Sequence, residues 1–224
     1  MFIDMKLFII RHGETFWNRE RRLQGQEGTD LDEKGIRLAE VTSEAMRDIP
    51  MDLCITSPLL RARHTAEIMT RGRGIPVIED PRIEEIAFGE WEGKHCMPPK
   101  LEIPADQWSV FFRDPFHFVP PKGGEAITDV IRRTAAFLQD VLSNPLNQTK
   151  NILISTHGCA MRALLNPYYD DPGDFWQGGV PKNCAVSQVV VKDGRAKLTV
   201  SDRIYYRAEE DAWQAIYAAE KKAE

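Results

Sequence analysis

The sequence predicts an α/β three-layer sandwich: a central, mostly parallel sheet flanked by helices. Three observations carry this reading. Short apolar runs rich in β-branched residues recur along the chain, most of them without clean alternation, as strands buried on both faces do. Segments of helical period lie between these runs. Three of the runs also end in polar clusters of similar kind, and open α/β sheets bind ligands beyond the carboxyl ends of their strands.

In chain order, strands are expected at 6–11 (KLFIIR), 52–56 (DLCIT), 151–156 (NILIST), 185–191 (AVSQVVV) and 197–202 (KLTVSD), with a weaker one at 75–79 (IPVIE). Asp32 is a candidate cap for a helix through about Arg47, with Leu38, Val41, Ala45 and Ile49 along one face. Ser57-Pro58 reads as an N-cap followed by a first helical residue, opening a helix through about Met69. From Thr128 to Leu142, residues Ile131, Thr134, Phe137, Leu138, Val141 and Leu142 fall at helical spacing, and Asn144-Pro145 stops the run. A charged last helix is expected from about Ala208 to Ala223.

Residues 94–122 break the pattern. Pro98, Pro99, Pro104, Pro115, Pro120 and Pro121 are interleaved there with Trp108, Phe111, Phe112, Phe116 and Phe118. Linkers seldom carry so many aromatics, so this stretch is expected to be an insertion packed over one end of the sheet as a lid. The whole chain, 1–224, is expected to be one domain carrying that insertion.

Composition narrows the function classes. The chain is 42% hydrophobic and 28% charged, with a net charge of -5, so it has no general attraction to nucleic acid or to anionic lipid. Neither nucleic acid nor membrane is an expected partner. The opening MFIDMKLFII has too short an apolar run for a secretory signal, and no later run is long enough to cross a bilayer. Cys54, Cys96, Cys159 and Cys184 show no metal-binding spacing and read as free thiols in a reducing compartment. A cytoplasmic location is expected, with no cofactor and no metal site.

The three polar endings carry the chemistry. LFIIRHG ends in Arg11, His12 and Gly13; LCITSPLLRA ends in Ser57 and Pro58, with Arg61 one turn on; ILISTHG ends in Thr156, His157 and Gly158. If these strands are parallel neighbours, two Arg, two His and two Gly converge. That set fits a dianion such as phosphate, because guanidinium forks pair bidentately with its oxygens and glycines let backbone approach. No carboxylate cluster at metal-ligand spacing accompanies them, so protein groups would neutralise the charge.

With these residues in view, the sequence resembles the histidine phosphatase superfamily, also called phosphoglycerate mutase-like. The resemblance rests on RHGETFWN at 11–18, LQGQEGTDLDEKG at 23–35, TSPLLRARHTAE at 56–67 and EEIAFGEWEG at 84–93. It continues in GGEAITDVIRR at 124–133, STHGCAMRALL at 155–165 and, more weakly, PKNCAVSQV at 181–189. The resemblance implies that His12 is a nucleophile forming a phosphohistidine. Arg11, Arg61 and His157 would bind phosphoryl oxygens, and Asn18 would add a hydrogen bond. The Gln24–Gly25 backbone would line the pocket mouth, and Gly158 would let the backbone approach. Glu85, four residues before Gly89, matches the position of the family's general acid and base; Glu84 and Glu92 are nearby competitors. Ala126 stands where relatives often have Ser, which puts any hydroxyl contact there in doubt.

Two activities follow from the resemblance. The short interval from Glu85 to His157 and the cation-poor aromatic insertion favour a phosphomonoester hydrolase acting on a small phosphorylated metabolite. Phosphoglycerate mutase-type transfer is the alternative, and a phosphate-binding module without catalysis a further one. Oligomeric state is open, as is the place of NPYYDDPGDFWQGG at 166–179, at the pocket rim or at an interface.

Overall fold

The computed structural model describes residues 4–207, so the helix expected over 208–223 lies outside the described residues. The backbone of the described part is a six-stranded mixed sheet. Its strands are β1 (Met5–Arg11), β2 (Leu53–Thr56), β3 (Val77–Glu79), β4 (Asn151–Thr156), β5 (Val186–Lys192) and β6 (Arg195–Arg203), arranged in the order β3-β2-β4-β1-β5-β6. The pairs β1/β4, β2/β4 and β2/β3 are parallel, while β5 is antiparallel to both β1 and β6. A single reversed strand thus leaves the other strands pointing one way, as the mostly parallel expectation requires. β3 is exposed along its length and β6 alternates between half-buried and exposed, which suits the two edges of the sheet.

Helices α1 (Phe16–Glu20), α2 (Glu33–Ala45), α3 (Leu60–Thr70), α4 (Ala105–Arg113), α5 (Ile127–Ser143) and α6 (Gly158–Leu165) complete the fold. The alternation of side chains along β1 and β4 separates two cores. Leu7, Ile9, Ile152 and Ile154 meet Phe137, Leu138, Val141 and Leu164 on one face. Phe8, Ile10 and Leu153 meet Ala39, Met46, Ala66 and Met69 on the other. These interior side chains are close to fully buried, so truncating one such as Ile9 or Ile154 to Ala costs about 2–5 kcal/mol.

Two local expectations are corrected. The helix expected from Ser57-Pro58 starts at Leu60; the Ser57 hydroxyl accepts from the Leu59 N–H at 3.2 Å and also meets the His157 ring at 2.8 Å. The α2 face is also different. Asp32 caps the helix as expected, accepting from the Gly35 N–H, but Gly35, Ala39 and Thr42 are the buried residues. Val41 and Ala45 face solvent, and Leu38 and Ile49 are half-buried. Small residues win this face because α2 approaches the loop after β1 closely: a Cβ on Gly35 would lie 2.0 Å from the Glu14 carbonyl oxygen.

A third cluster lies on the α6 side of the molecule. Trp108, Phe111, Phe112 and Phe118 from the 94–122 stretch pack with Phe88, Trp91, Ile127, Ala160, Phe175 and Trp176. The rings meet mainly edge to face, as between Phe111 and Trp176 at 5.0 Å, and Trp108 stacks on Phe111 at 4.9 Å. All four cysteines are buried free thiols. Burial pushes Cys54, Cys96 and Cys184 up to about 12 and Cys159 well above the usual thiol range, the last aided by the nearby Glu85 carboxylate.

Candidate active site

Because β2, β4 and β1 are parallel neighbours with β4 in the middle, their carboxyl ends bring the three polar clusters together. The His12 N–H donates to the Thr156 carbonyl and the Ser57 N–H to the Ser155 carbonyl, both at 2.9 Å. Arg11, His12, Ser57, Arg61 and His157 are all buried where the strands end.

The imidazoles are set up differently. His12 Nδ1 lies 2.7 Å from the Gly13 carbonyl oxygen, which places its proton there and leaves Nε2 unprotonated. The Arg61 Nε–H donates to the Nε2 lone pair at 3.3 Å. The His157 ring sits 5.2 Å from that of His12; its Nε2 is 2.8 Å from the Ser57 hydroxyl, and its Nδ1 has no hydrogen-bond partner among the described residues. Burial, then the positive charge of Arg61, holds both imidazoles well below the usual histidine range; Arg11 adds to this at both rings and His12 at His157. Both rings are therefore neutral at neutral pH. Burial also lowers Arg61, to about 10, still well above neutral pH.

The cations are oriented by backbone carbonyls. Arg61 donates to Gly25 O at 2.7 Å and Glu27 O at 3.0 Å, and Arg11 donates to Pro181 O. Glu92 holds the same 25–27 loop from the other side, its carboxylate accepting the N–H groups of Gln26, Glu27 and Phe88. Only glycine fits at 25, since a Cβ there would lie 2.1 Å from Glu92 Oε1. Glu92 is thus committed to holding the loop.

Glu85 accepts the N–H groups of Cys159 at 3.1 Å and Ala160 at 3.0 Å, in the first turn of α6. At Gly158 a Cβ would make ordinary 3.6 Å contacts with Arg11 Nε and Glu85 Oε2 but would crowd Val180 Cγ1 at 2.8 Å. The Glu85 backbone is held too. Arg133 donates to the carbonyls of Arg82, Glu84 and Glu85 and pairs with Glu125, whose carboxylate accepts the Ala87 N–H. Glu84 is half-buried and its carboxyl is raised by that burial, but it is absent from the pocket wall.

The pocket, open to solvent at its mouth, spans about 480 Å³ with that mouth included. Arg11, His12, Asn18, Gln24 and Glu85 line its polar side, and Phe88, Trp108, Phe111, Phe112 and Trp176 its aromatic side. Arg61 and His157 touch His12 at the edge of this space without lining the pocket themselves. Gln24 lines the pocket, whereas Gly25 does not. The Gln24 Oε1 accepts from the hydroxyls of Thr15 at 2.7 Å and Thr29 at 2.8 Å, and its Nε2 has no hydrogen-bond partner among the described residues. Asn18 Oδ1 accepts from Thr15 and from Asn183, whose amide also donates to the His12 carbonyl.

The 166–179 segment belongs to this pocket: Trp176 forms part of its wall and donates from its indole N–H to the Phe111 carbonyl at 2.8 Å. Ala126 is outside the wall. It occupies the N-cap position of α5, so a hydroxyl there would serve the helix. The sequence reading missed the contributions of Ser57, Arg133, Glu125 and Asn183. Ser57 stands among the polar strand endings and as a helix start, with no partner assigned to its hydroxyl, and the other three lie in matched motifs without any local pattern that assigns them a contact.

Among the described residues, no group of three or more His, Cys, Asp or Glu is placed to hold a metal ion. Nor is any helix among them long and apolar enough to cross a membrane.

Known proteins are similar to this chain in sequence and in fold. The chain is 31% identical over 185 residues to the protein named "Probable phosphoglycerate mutase GpmB" of Erwinia tasmaniensis, covering 83% of this chain and 84% of that one. The structure superimposes on Bacillus stearothermophilus YhfR with a TM-score of 0.81 and 31% identity, covering 89% of this chain and 97% of that one. The alpha-ribazole phosphatase of Shigella flexneri follows with a TM-score of 0.76 and 28% identity, covering 92% and 100%. A family model described as histidine phosphatase superfamily (branch 1) matches residues 7–202. With that match spanning most of its length, the chain belongs to the histidine phosphatase superfamily.

Proposed function

We propose that this chain is a metal-independent phosphomonoester hydrolase that works through a phosphohistidine on a small phosphorylated metabolite. The observation that carries the proposal is the His12 ring: neutral, with its Nδ1 proton on the Gly13 carbonyl and its Nε2 lone pair directed at the Arg61 guanidinium.

In the first half-reaction the Nε2 lone pair attacks phosphorus and the ester P–O bond breaks. Arg11 and Arg61 stabilise the charge on the phosphoryl oxygens. His157 donates from Nδ1 to one of them, its tautomer set by the Ser57 hydroxyl donating to Nε2. Asn18 and the Gln24 amide stand in the pocket wall to orient the same group. The leaving oxygen takes its proton from Glu85. In the second half-reaction the Glu85 carboxylate takes a proton from water, the water oxygen attacks phosphorus, and the P–N bond breaks to restore His12.

The aromatic side of the pocket supports an alcohol with an apolar or ring-containing part, a reading in keeping with the likeness to an alpha-ribazole phosphatase. Phosphate release from a panel of monoesters in the presence of a chelator tests the proposal. Release that disappears in His12→Ala supports it. Interconversion of 3-phosphoglycerate with little release would instead favour the mutase reading, which the likeness to a protein named as a phosphoglycerate mutase keeps in play. No turnover of any ester would favour a binding module.

A further inference from the structure

A second feature lies beside the pocket. Arg22 forms part of the pocket wall and also part of the wall of a neighbouring open groove of about 690 Å³. That groove runs between the end of α1 and the 95–100 stretch. Its lining carries the cations Arg19, Arg21, Arg22 and Lys100, against the single carboxylate of Glu20. Glu102 lies within electrostatic reach of Arg22, and the positive groups still outnumber the negative ones. The chain as a whole is acidic, so this concentration of positive charge is local.

Arg22 is held in place while keeping part of its fork available. Its Nε donates to Glu20 Oε2 at 2.8 Å and its Nη1 to the Gly93 carbonyl at 2.6 Å, while no hydrogen bond from Nη2 is formed with the described residues. The side chain is about one-third exposed, open to a ligand and still fixed in position. A guanidinium held in this way pairs with a carboxylate or phosphoryl oxygen at little ordering cost.

We infer that the substrate carries a second anionic group, remote from the phosphoryl group that reacts, and that this group binds at Arg22 and the groove beyond it. The inference rests on the phosphomonoesterase reading, whose pocket defines where the reacting phosphoryl group sits. It adds a specificity residue for the alcohol side of the substrate. The apolar middle of such a substrate lies along the aromatic wall, and its two charged ends fall at Arg11 and Arg22.

The test uses probes that cannot turn over, so it is independent of catalysis. Calorimetric titration compares n-alkylphosphonates with α,ω-alkanebisphosphonates of the same chain length, from butyl to octyl, and with the matching ω-carboxyalkylphosphonates. At the best chain length the doubly anionic probes are expected to bind about tenfold more tightly than the simple phosphonate, equivalent to about 1.4 kcal/mol. For the bisphosphonates this is counted beyond the twofold advantage of having two equivalent ends. Comparing bisphosphonate with carboxylate tells which anion the groove prefers. Added salt is expected to shrink the preference, because the groove is open to solvent. Arg22→Gln is expected to collapse the ratio of affinities, and Arg22→Lys to restore part of it. Equal binding of single and double anions at every chain length would overturn the inference, as would an Arg22→Gln variant that weakens all probes by the same factor. Turnover of simple monoesters, measured separately, decides the phosphatase reading by itself.

Discussion

At the residue scale, the proposed chemistry turns on one lone pair and one carboxylate. Replacing His12 with Ala removes the proposed nucleophile, and kcat is expected to fall by about 10⁴-fold or more while the far-ultraviolet circular dichroism stays native. Glu85→Gln keeps the size of the side chain but cannot donate and accept the proton in turn. Single-turnover kinetics are expected to show a loss of about 10²–10⁴-fold in the chemical step. Glu84→Gln is the control: its carboxylate is outside the pocket wall, so its effect is expected to stay within about twofold, well short of the 10²-fold loss of an acid-base group. The spacing to Gly89 points to Glu85 by resemblance, without a physical reason for preferring it to its neighbour. What separates them is the α6 N-terminus, which holds Glu85 through the Cys159 and Ala160 amides, and helix placement is a long-range property of the fold.

At the scale of elements, two contacts are open to measurement. α5 begins at Ala126, with extended backbone and no side-chain acceptor; only the return bond is made, from the Ala126 N–H to Asp129 Oδ2 at 3.2 Å. Ala126→Ser supplies the missing acceptor and is expected to stabilise the protein by about 0.5–2 kcal/mol in denaturant unfolding. Seven residues on, Arg133 joins α5 to the loop that carries Glu85. Arg133→Lys keeps the charge but cannot reproduce the fork that meets three carbonyls and the Glu125 carboxylate. A drop in kcat of about 10²-fold with KM little changed is expected, since small misplacements of a catalytic group cost that much. A purely structural role would lower stability and leave kcat unaltered in the folded fraction.

At the scale of the whole molecule, burying two neutral imidazoles links pH to stability. The unfolded chain takes up protons at His12 and His157 near the ordinary value of 6.5, whereas the folded chain resists until well below it. Between those limits the unfolded state binds more protons. Their contribution to stability is therefore present above about pH 6.5 and is lost progressively as pH falls toward the depressed folded values. Urea midpoints at about pH 7.5 and about pH 5.5 are expected to show that loss, and a variant lacking one imidazole to show less of it.

Most of the architecture was legible because β1, β2 and β4 are apolar enough to announce burial, and their endings are unusual enough to announce a shared edge. Less legible were the features that depend on what the fold brings against a residue. Gly35, Ala39 and Thr42, not Val41 and Ala45, take the buried face of α2, and the Ser57 hydroxyl serves His157 as well as the Leu59 amide. Trp176 joined the aromatic wall from a loop distant in sequence.

The buried thiols have a practical consequence. Alkylating agents and peroxides attack thiolates, and here every cysteine is covered and held protonated, including Cys159 in the pocket wall. The proposed reaction, with imidazole as its nucleophile and every cysteine kept inert, depends on no reduced thiol. Brief treatment with iodoacetamide or hydrogen peroxide is expected to leave turnover at its untreated rate, with mass spectrometry showing four unmodified thiols.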